Sequence, residues 1–153
     1  MLSLLLLASA LSASSTSVVP LPSTAFTYSP LDRWSTRSIS RNASTFLSKW
    51  GSSTAVAASL VNATSPPFPT AVGLLYGMGS SNGFMRVSLN GQVVVPALNT
   101  FGAVTNYTNE LVLPLKKLPN LPLWVLAVEA TGTWESGSKD SYIEVVGVNV
   151  YYP

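Results

Sequence analysis

The chain has 153 residues, of which 47% are hydrophobic and only 9% charged, against roughly 25% charged in an ordinary globular domain. Eight basic residues against six acidic ones leave a formal +2, and without clustered Lys and Arg this excludes a nucleic-acid partner. The absence of Cys and His excludes disulfides, thiolate and imidazole metal sites, and any histidine-dependent triad.

The first segment, Met1 to Ala13, reads MLSLLLLASALSA. An apolar core followed by small residues suits a signal peptide, with cleavage expected near residues 10–17 at Ala8-Ser9-Ala10 or Leu11-Ser12-Ala13. The run falls short of the about 20 apolar residues a bilayer span needs. No later stretch reaches that length, so no membrane span is expected. Sequons at Asn42-Ala43-Ser44, Asn62-Ala63-Thr64 and Asn106-Tyr107-Thr108 agree with a secreted, extracellular, N-glycosylated product.

Ser14 to Thr24 is Ser, Thr, Val and Pro without a burial pattern and reads as a linker, leaving one domain over residues 25–153. Turn chemistry then interrupts the chain at short intervals: Ser29-Pro30, Gly51-Ser52-Ser53, Ser65-Pro66-Pro67, Gly79 to Gly83, Asn90-Gly91, Pro119 to Pro122 and Gly132 to Ser141. The runs between are rich in Val, Leu, Thr, Tyr and Trp, which favour a pleated, half-buried surface. Strands are predicted at Ala25–Tyr28, Trp34–Ser40, Thr54–Val61, Ala71–Met78, Phe84–Leu89, Gln92–Val95, Glu110–Leu115, Leu123–Thr131 and Tyr142–Tyr151. Ser53 to Leu60 is Ala-rich enough to suit a short helix, and the strand is preferred.

Asn90-Gly91 supplies the two positive φ angles of a type I′ hairpin turn, with Met85, Val87 and Leu89 on one face of the strand before it. In the last segment Tyr142, Glu144, Val146, Val148 and Val150 alternate with Ile143, Val145, Gly147, Asn149 and Tyr151. Both sets are largely apolar, which marks a central strand. Short strands with frequent turns make the fold all-β, an antiparallel sandwich of two facing sheets.

The order of pieces adds a resemblance. Phe26-Thr-Tyr-Ser-Pro-Leu-Asp-Arg-Trp34 opens the domain, and Pro69-Thr-Ala-Val-Gly-Leu-Leu-Tyr-Gly77 leads to Met85-Arg-Val-Ser-Leu-Asn-Gly91. Leu118-Pro119-Asn120 and the closing Tyr142-Ile-Glu-Val-Val-Gly-Val-Asn-Val150 follow. From Phe26 to Tyr151 this resembles the galactose-binding-like jelly-roll domain of secreted and surface fungal proteins. The resemblance implies a single-domain jelly-roll β-sandwich and a non-catalytic module related to carbohydrate-binding modules. The chain departs from that group in having no His after the Leu-Pro turn and in carrying Asn90 where Asp is commoner.

Catalysis without His or Cys would fall to carboxylates, Ser or Lys. Glycoside hydrolysis needs two carboxyl groups roughly 5 to 10 Å apart, and the chain offers Asp32, Glu110, Glu129, Glu135, Asp140 and Glu144. Glu135 and Asp140 share one Gly/Ser-rich loop, where ordinary solvated charges are the simpler reading. Glu144, among apolar neighbours, reads as a structural carboxylate bonded to backbone amides or to Arg, ahead of an acid of raised pKa. Lys116-Lys117 reads as a solvated turn. Gly77 to Gly83 lacks a Lys and a following helix, so it is a connecting loop and not a nucleotide site.

Binding fits the composition better. Aromatic rings stack on sugar faces while amide, carboxylate and guanidinium groups bond hydroxyls. Trp134, Glu135, Lys139 and Asp140 sit in one polar loop, and Arg33 and Trp34 form a second candidate segment with Arg37 nearby. Trp134 leads, because nothing in its loop would bury it, whereas Trp34, Trp50 and Trp124 suit a core or a sheet edge. Scattered acids give no calcium loop, which would need about six to eight oxygens, so no metal and no cofactor are expected. The expected function is a secreted, non-catalytic module binding glycans or cell-wall polysaccharide. A structural or interaction domain of a larger surface protein is the alternative, and a carboxylate-dependent glycoside hydrolase is the least favoured.

Overall fold

The computed structural model describes residues 15–20, 23–42, 44–52, 54–61, 68–115 and 123–153. Every extended run expected from the sequence is a strand. The leader Met1–Ala13, Asn62, Ser65-Pro66-Pro67, Lys116-Lys117 and Leu118-Pro119-Asn120 lie outside the described residues. The strands are β1 (Thr16–Pro20), β2 (Phe26–Ser29), β3 (Ser35–Arg41), β4 (Ser44–Gly51), β5 (Ala55–Val61) and β6 (Ala71–Met78). They continue with β7 (Phe84–Leu89), β8 (Gln92–Asn99), β9 (Asn106–Pro114), β10 (Leu123–Ala130) and β11 (Ile143–Tyr151). One 3-10 turn, Leu31–Arg33, joins β2 to β3.

Period-two burial explains the strands. In β5, Val56, Ala58 and Leu60 are buried, and in β10, Trp124, Leu126, Val128 and Ala130. A helix would have spread the alanines of β5 around its circumference, whereas a strand puts alternate residues on one face. The Asn-Gly turn forms as its chemistry dictates, with φ 51° at Asn90 and 78° at Gly91. Asn90 Oδ1 also accepts from Val125 N at 2.9 Å, tying the turn to β10.

Two antiparallel sheets result. One runs β3-β4-β11-β6-β9 with β1 also on β11, and the other runs β2-β5-β10-β7-β8. From β4 to β11 the chain passes between the layers in the order of a jelly roll. Facing residues of both sheets fill one core, with Val72, Leu74, Met85, Val87, Leu126, Val128, Ile143, Val145 and Val148 almost wholly buried. Among the described residues no helix is long and apolar enough to cross a membrane.

Three features differ from the sequence reading. First, β1 forms inside the segment read as a linker, with Thr16 to Pro20 opposite Tyr151 to Gly147. Second, Ser44–Gly51, expected as no element, is β4. Third, the register on β6 shifts between Val145 and Gly147, so Ile143, Val145, Val148 and Val150 all face the core. A bulge turns the strand over, which the strict alternation expected for Tyr142–Tyr151 does not allow.

β4 pairs with β11 only at Ile143 to Val145, and β1 takes over the same edge from Gly147. The β3–β4 hairpin is thereby released to lean across the outer face of its own sheet. There Ile39 packs with Leu75, Val146 and Tyr107 in a small second cluster. Arg41 Nη1 donates to the carbonyls of Tyr107 and, at 3.3 Å, Asn109, both on β9 at the far edge of that sheet.

Candidate functional site

Strand directions gather residues 30–34, 51–52, 54, 79–83, 100–105 and 131–142 at one end of the sandwich. Both segments singled out from the sequence therefore share that end. The 131–142 loop is tied down through its backbone. Phe84 N donates to Thr133 O at 2.9 Å, Lys139 N to Ser80 O at 3.0 Å and Gly83 N to Tyr142 O at 2.8 Å. Ser138 Oγ lies 2.8 Å from both Asn82 O and Asp140 O, so its one proton bridges two stretches of chain. Gly83 permits this close approach, because a Cβ there would stand 2.5 Å from Thr133 O and 2.8 Å from Ser141 Cα. Gly132 and Gly137, at φ 76° and 104°, take the positive-φ corners that other residues adopt at a cost.

On this loop Trp134 is 52% exposed. Its neighbours divide into tied and open groups. Glu135 Oε2 accepts from Asn99 Nδ2 at 3.2 Å, and Asp140 Oδ1 accepts from Ser141 N at 2.7 Å. Lys139 is exposed. The loop therefore offers an open ring, an ammonium and two carboxylates each already steadied by one hydrogen bond.

The second segment contributes less. Arg33 is exposed on its 3-10 turn, close to the glycine of β4: a Cβ on Gly51 would stand 2.5 Å from Arg33 O. Trp34 is only 8% exposed and belongs to the core cluster, its ring edge-on to Tyr28 at 5.3 Å. Of the two expectations for Trp34, core and ligand contact, this burial fits the core and leaves little of the ring for a ligand. Trp124 is likewise core, and Trp50 is half-buried near the sheet edge. Among the described residues no cluster of three acids could hold a metal ion.

The outer face of the β11 sheet carries chemistry that sequence reasoning assembled only in part. Glu144, 1% exposed, receives Arg37 Nε at 2.8 Å and Nη2 at 2.5 Å. This is the Arg-bound structural carboxylate expected for it. The guanidinium sits 5.7 Å from the Trp50 ring centroid and 5.6 Å from that of Tyr107, and Tyr142 meets Trp50 edge-on at 4.8 Å. The hydrogen bond to Glu144 raises the Arg37 pKa against the opposing effect of burial. Burial, reinforced by the Glu144 charge, raises that of Tyr107.

Further along, Glu110 Oε1 accepts from Tyr151 OH at 2.5 Å and from Asn149 Nδ2 at 2.8 Å. That bond, with burial second, raises the Tyr151 pKa. Two glycines of β6 make room for the two acids: a Cβ on Gly77 would stand 2.8 Å from Glu144 Oε2, and one on Gly73 1.9 Å from Glu110 Oε1. Those paired glycines, four residues apart in an otherwise apolar strand, were the sequence signal for this face.

Of the described sequons, Asn42 is exposed at the β3–β4 turn and Asn106 at the start of β9. Asn106 Oδ1 accepts from Thr108 N at 2.8 Å and from Thr108 Oγ1 at 2.7 Å.

No family model matches the chain, and no curated protein matches it in sequence. A solved structure that does match is that of a Paenibacillus xanthan lyase, with a TM-score of 0.55 and 15% identity. The match covers 76% of this chain and 12% of that one. At that identity the likeness is one of fold.

Proposed function

We propose that the chain is a secreted, N-glycosylated and non-catalytic β-sandwich module that binds carbohydrate through the 131–142 loop. The observation that carries this reading is an indole left 52% exposed on a loop whose backbone is already fixed at Thr133, Ser138 and Lys139. A ring held in place before binding loses little conformational freedom when a sugar stacks on it. Lys139, Glu135, Asp140 and Arg33 are polar groups at the same end of the sandwich. A fold neighbour named as a xanthan lyase supports a saccharide as the ligand class.

The carboxylates support a binding role over hydrolysis. Gly73 and Gly77, which underlie Glu110 and Glu144, are four residues apart in an extended strand, or about 13 Å. A glycosidase pair stands roughly 5 to 10 Å apart. Glu135 and Asp140 are each engaged with different partners, Asn99 and the Ser141 amide.

A glycan array and a polysaccharide pull-down test the reading, with Trp134→Ala as the comparison. Retention of a glycan and its loss in the variant by at least about tenfold is the expected result, a single stacked aromatic being worth on the order of 1 kcal/mol or more. Retention of no glycan, with variant and parent alike, overturns it. That outcome would favour a structural or interaction module of a larger surface protein, a reading supported by the 12% share of the lyase chain that the sandwich matches.

A further inference from the structure

The chain contains two Asn-Gly pairs, Asn82-Gly83 and Asn90-Gly91, and the fold treats them in opposite ways. At the first, both residues are buried. Asn82 Nδ2 donates to Gly77 O at 3.0 Å, and Gly83 N donates to Tyr142 O at 2.8 Å. A Cβ on Gly83 would stand 2.5 Å from Thr133 O, so this pair has little room to rearrange. At the second, Gly91 is exposed, and nothing lies within 4 Å of where its Cβ would stand. Its N–H donates to no other backbone group among the described residues. Asn90 is tied to β10 twice: its N donates to Val125 O at 2.8 Å, and its Oδ1 accepts from Val125 N at 2.9 Å.

We propose that Asn90-Gly91 is a site of spontaneous deamidation in the folded protein, whereas Asn82-Gly83 is closed to the same reaction. The Gly91 amide nitrogen loses its proton to hydroxide and attacks Asn90 Cγ. A C–N bond forms, the Cγ–Nδ2 bond breaks, and Nδ2 takes a proton from water and leaves as ammonia. Water then opens the cyclic imide at either carbonyl, leaving aspartate or isoaspartate at residue 90. Glycine hinders such an attack least, because it has no Cβ.

The turn sets the rate. In a type I′ turn ψ at the first central residue is about 30°, which carries the Gly91 nitrogen away from Asn90 Cγ. Attack therefore waits for the tip to open, which breaks the ties to Val125 but leaves the core in place. That is a local event, well below global unfolding. At Asn82-Gly83 the same rearrangement would release two hydrogen bonds in a buried setting and the packing of Gly83 against residues 133 and 141. The product is not silent either. Isoaspartate adds one carbon to the backbone of a two-residue turn, so Leu89 and Gln92 lose their pairing.

Incubating the folded protein at mildly alkaline pH in heavy-oxygen water tests the proposal, with the guanidinium-unfolded chain as reference. Trypsin cuts after Arg86, between the two pairs, and mass spectrometry then follows the label on separate fragments. Unfolded, the two sites should convert at rates alike within about threefold, since both are Asn followed by a residue without a Cβ. Folded, Asn90 should convert at least about tenfold faster than Asn82, as a local opening outpaces one that disrupts buried structure. Folding should slow Asn90 by less than about 10³-fold, because a reaction that waited for global unfolding would be slowed by more. Gly91→Ala meets no clash but is strained at φ 78°. It should raise the folded-to-unfolded rate ratio at Asn90 by about fivefold or more, by favouring the open turn. Equal folded rates at the two sites, a folded Asn90 slowed by more than about 10³-fold, or a ratio unmoved by Gly91→Ala each overturns the proposal.

Discussion

Replacing Arg37 with methionine isolates what the outer-face ion pair contributes. The change keeps an unbranched stem between Trp50 and Tyr107 but withdraws the two bonds of 2.8 and 2.5 Å from Glu144. Removing one member of a fully buried pair costs about 3–5 kcal/mol, whereas an exposed pair is worth less than about 1 kcal/mol. Here the carboxylate is 1% exposed and the arginine side chain 46%, so water reaches one partner and not the other. The expected loss falls between, at about 2 kcal/mol, or a fall in Tm of about 7 °C for a domain of this size. Urea unfolding followed by circular dichroism measures it, with an unchanged m value as the sign that both end states are intact. The double replacement Arg37→Met with Glu144→Leu should recover part of the loss, since it removes the buried charge together with the guanidinium that offset it. A single variant within about 0.5 kcal/mol of the parent, or a double variant less stable than the single, would refute this account of the pair.

Gly83→Ala should weaken glycan binding without touching any proposed contact. Its Cβ meets backbone atoms at 2.5 and 2.8 Å, so the 131–142 loop must shift; an affinity equal to the parent's would show that loop placement is irrelevant. Alkaline pH should destabilise the fold. Burial pushes the Tyr28 phenol up to about 12 and raises that of Tyr76, while unfolded tyrosines ionise near 10. The folded state thus holds protons that the unfolded state releases, so this stability is complete below about pH 10 and is lost as pH rises through about 12. Absorbance at 295 nm alongside urea midpoints from pH 8 to 12 should show late-titrating tyrosines and falling midpoints; six tyrosines titrating together near 10 would contradict it.

The parts of the fold legible in the sequence are those where local chemistry and burial agree. The β7–β8 hairpin has Asn-Gly at its turn and Met85 and Val87 facing inward, and β5 and β10 alternate cleanly. What escaped depends on the rest of the molecule. β1 has no periodicity of its own and exists because β11 leaves an edge open from Gly147 onward. The bulge in β11 hides among consecutive valines, since Val145-Val146 looks apolar in either register. Glu144 was legible as a carboxylate needing a partner, but Arg37 lies 107 residues away and arrives only because its hairpin leans over the sheet. Trp34 was legible as a core or sheet-edge tryptophan, while Asp32 and Arg33 before it also suggested a ligand segment; the turn after β2 aims the ring at Tyr28.

The geometry of the loop end also sets the affinity to expect. One open indole with a few polar neighbours is a small contact, whereas high affinity comes from enclosing walls. A free energy of about −4 kcal/mol corresponds to a millimolar Kd, and one stacked ring with two or three hydrogen bonds gives little more once immobilisation is subtracted. Useful attachment at that strength requires many sugars on one polymer or several modules on one chain, where linked binding events raise apparent affinity by about 10² to 10⁴. A binding role and membership of a larger surface protein are therefore mutually reinforcing. The same logic fixes the assay: retention on an insoluble polysaccharide should be clear where a free oligosaccharide gives only millimolar binding in solution. Tight monovalent binding would instead place the ligand in a deeper site than this loop provides.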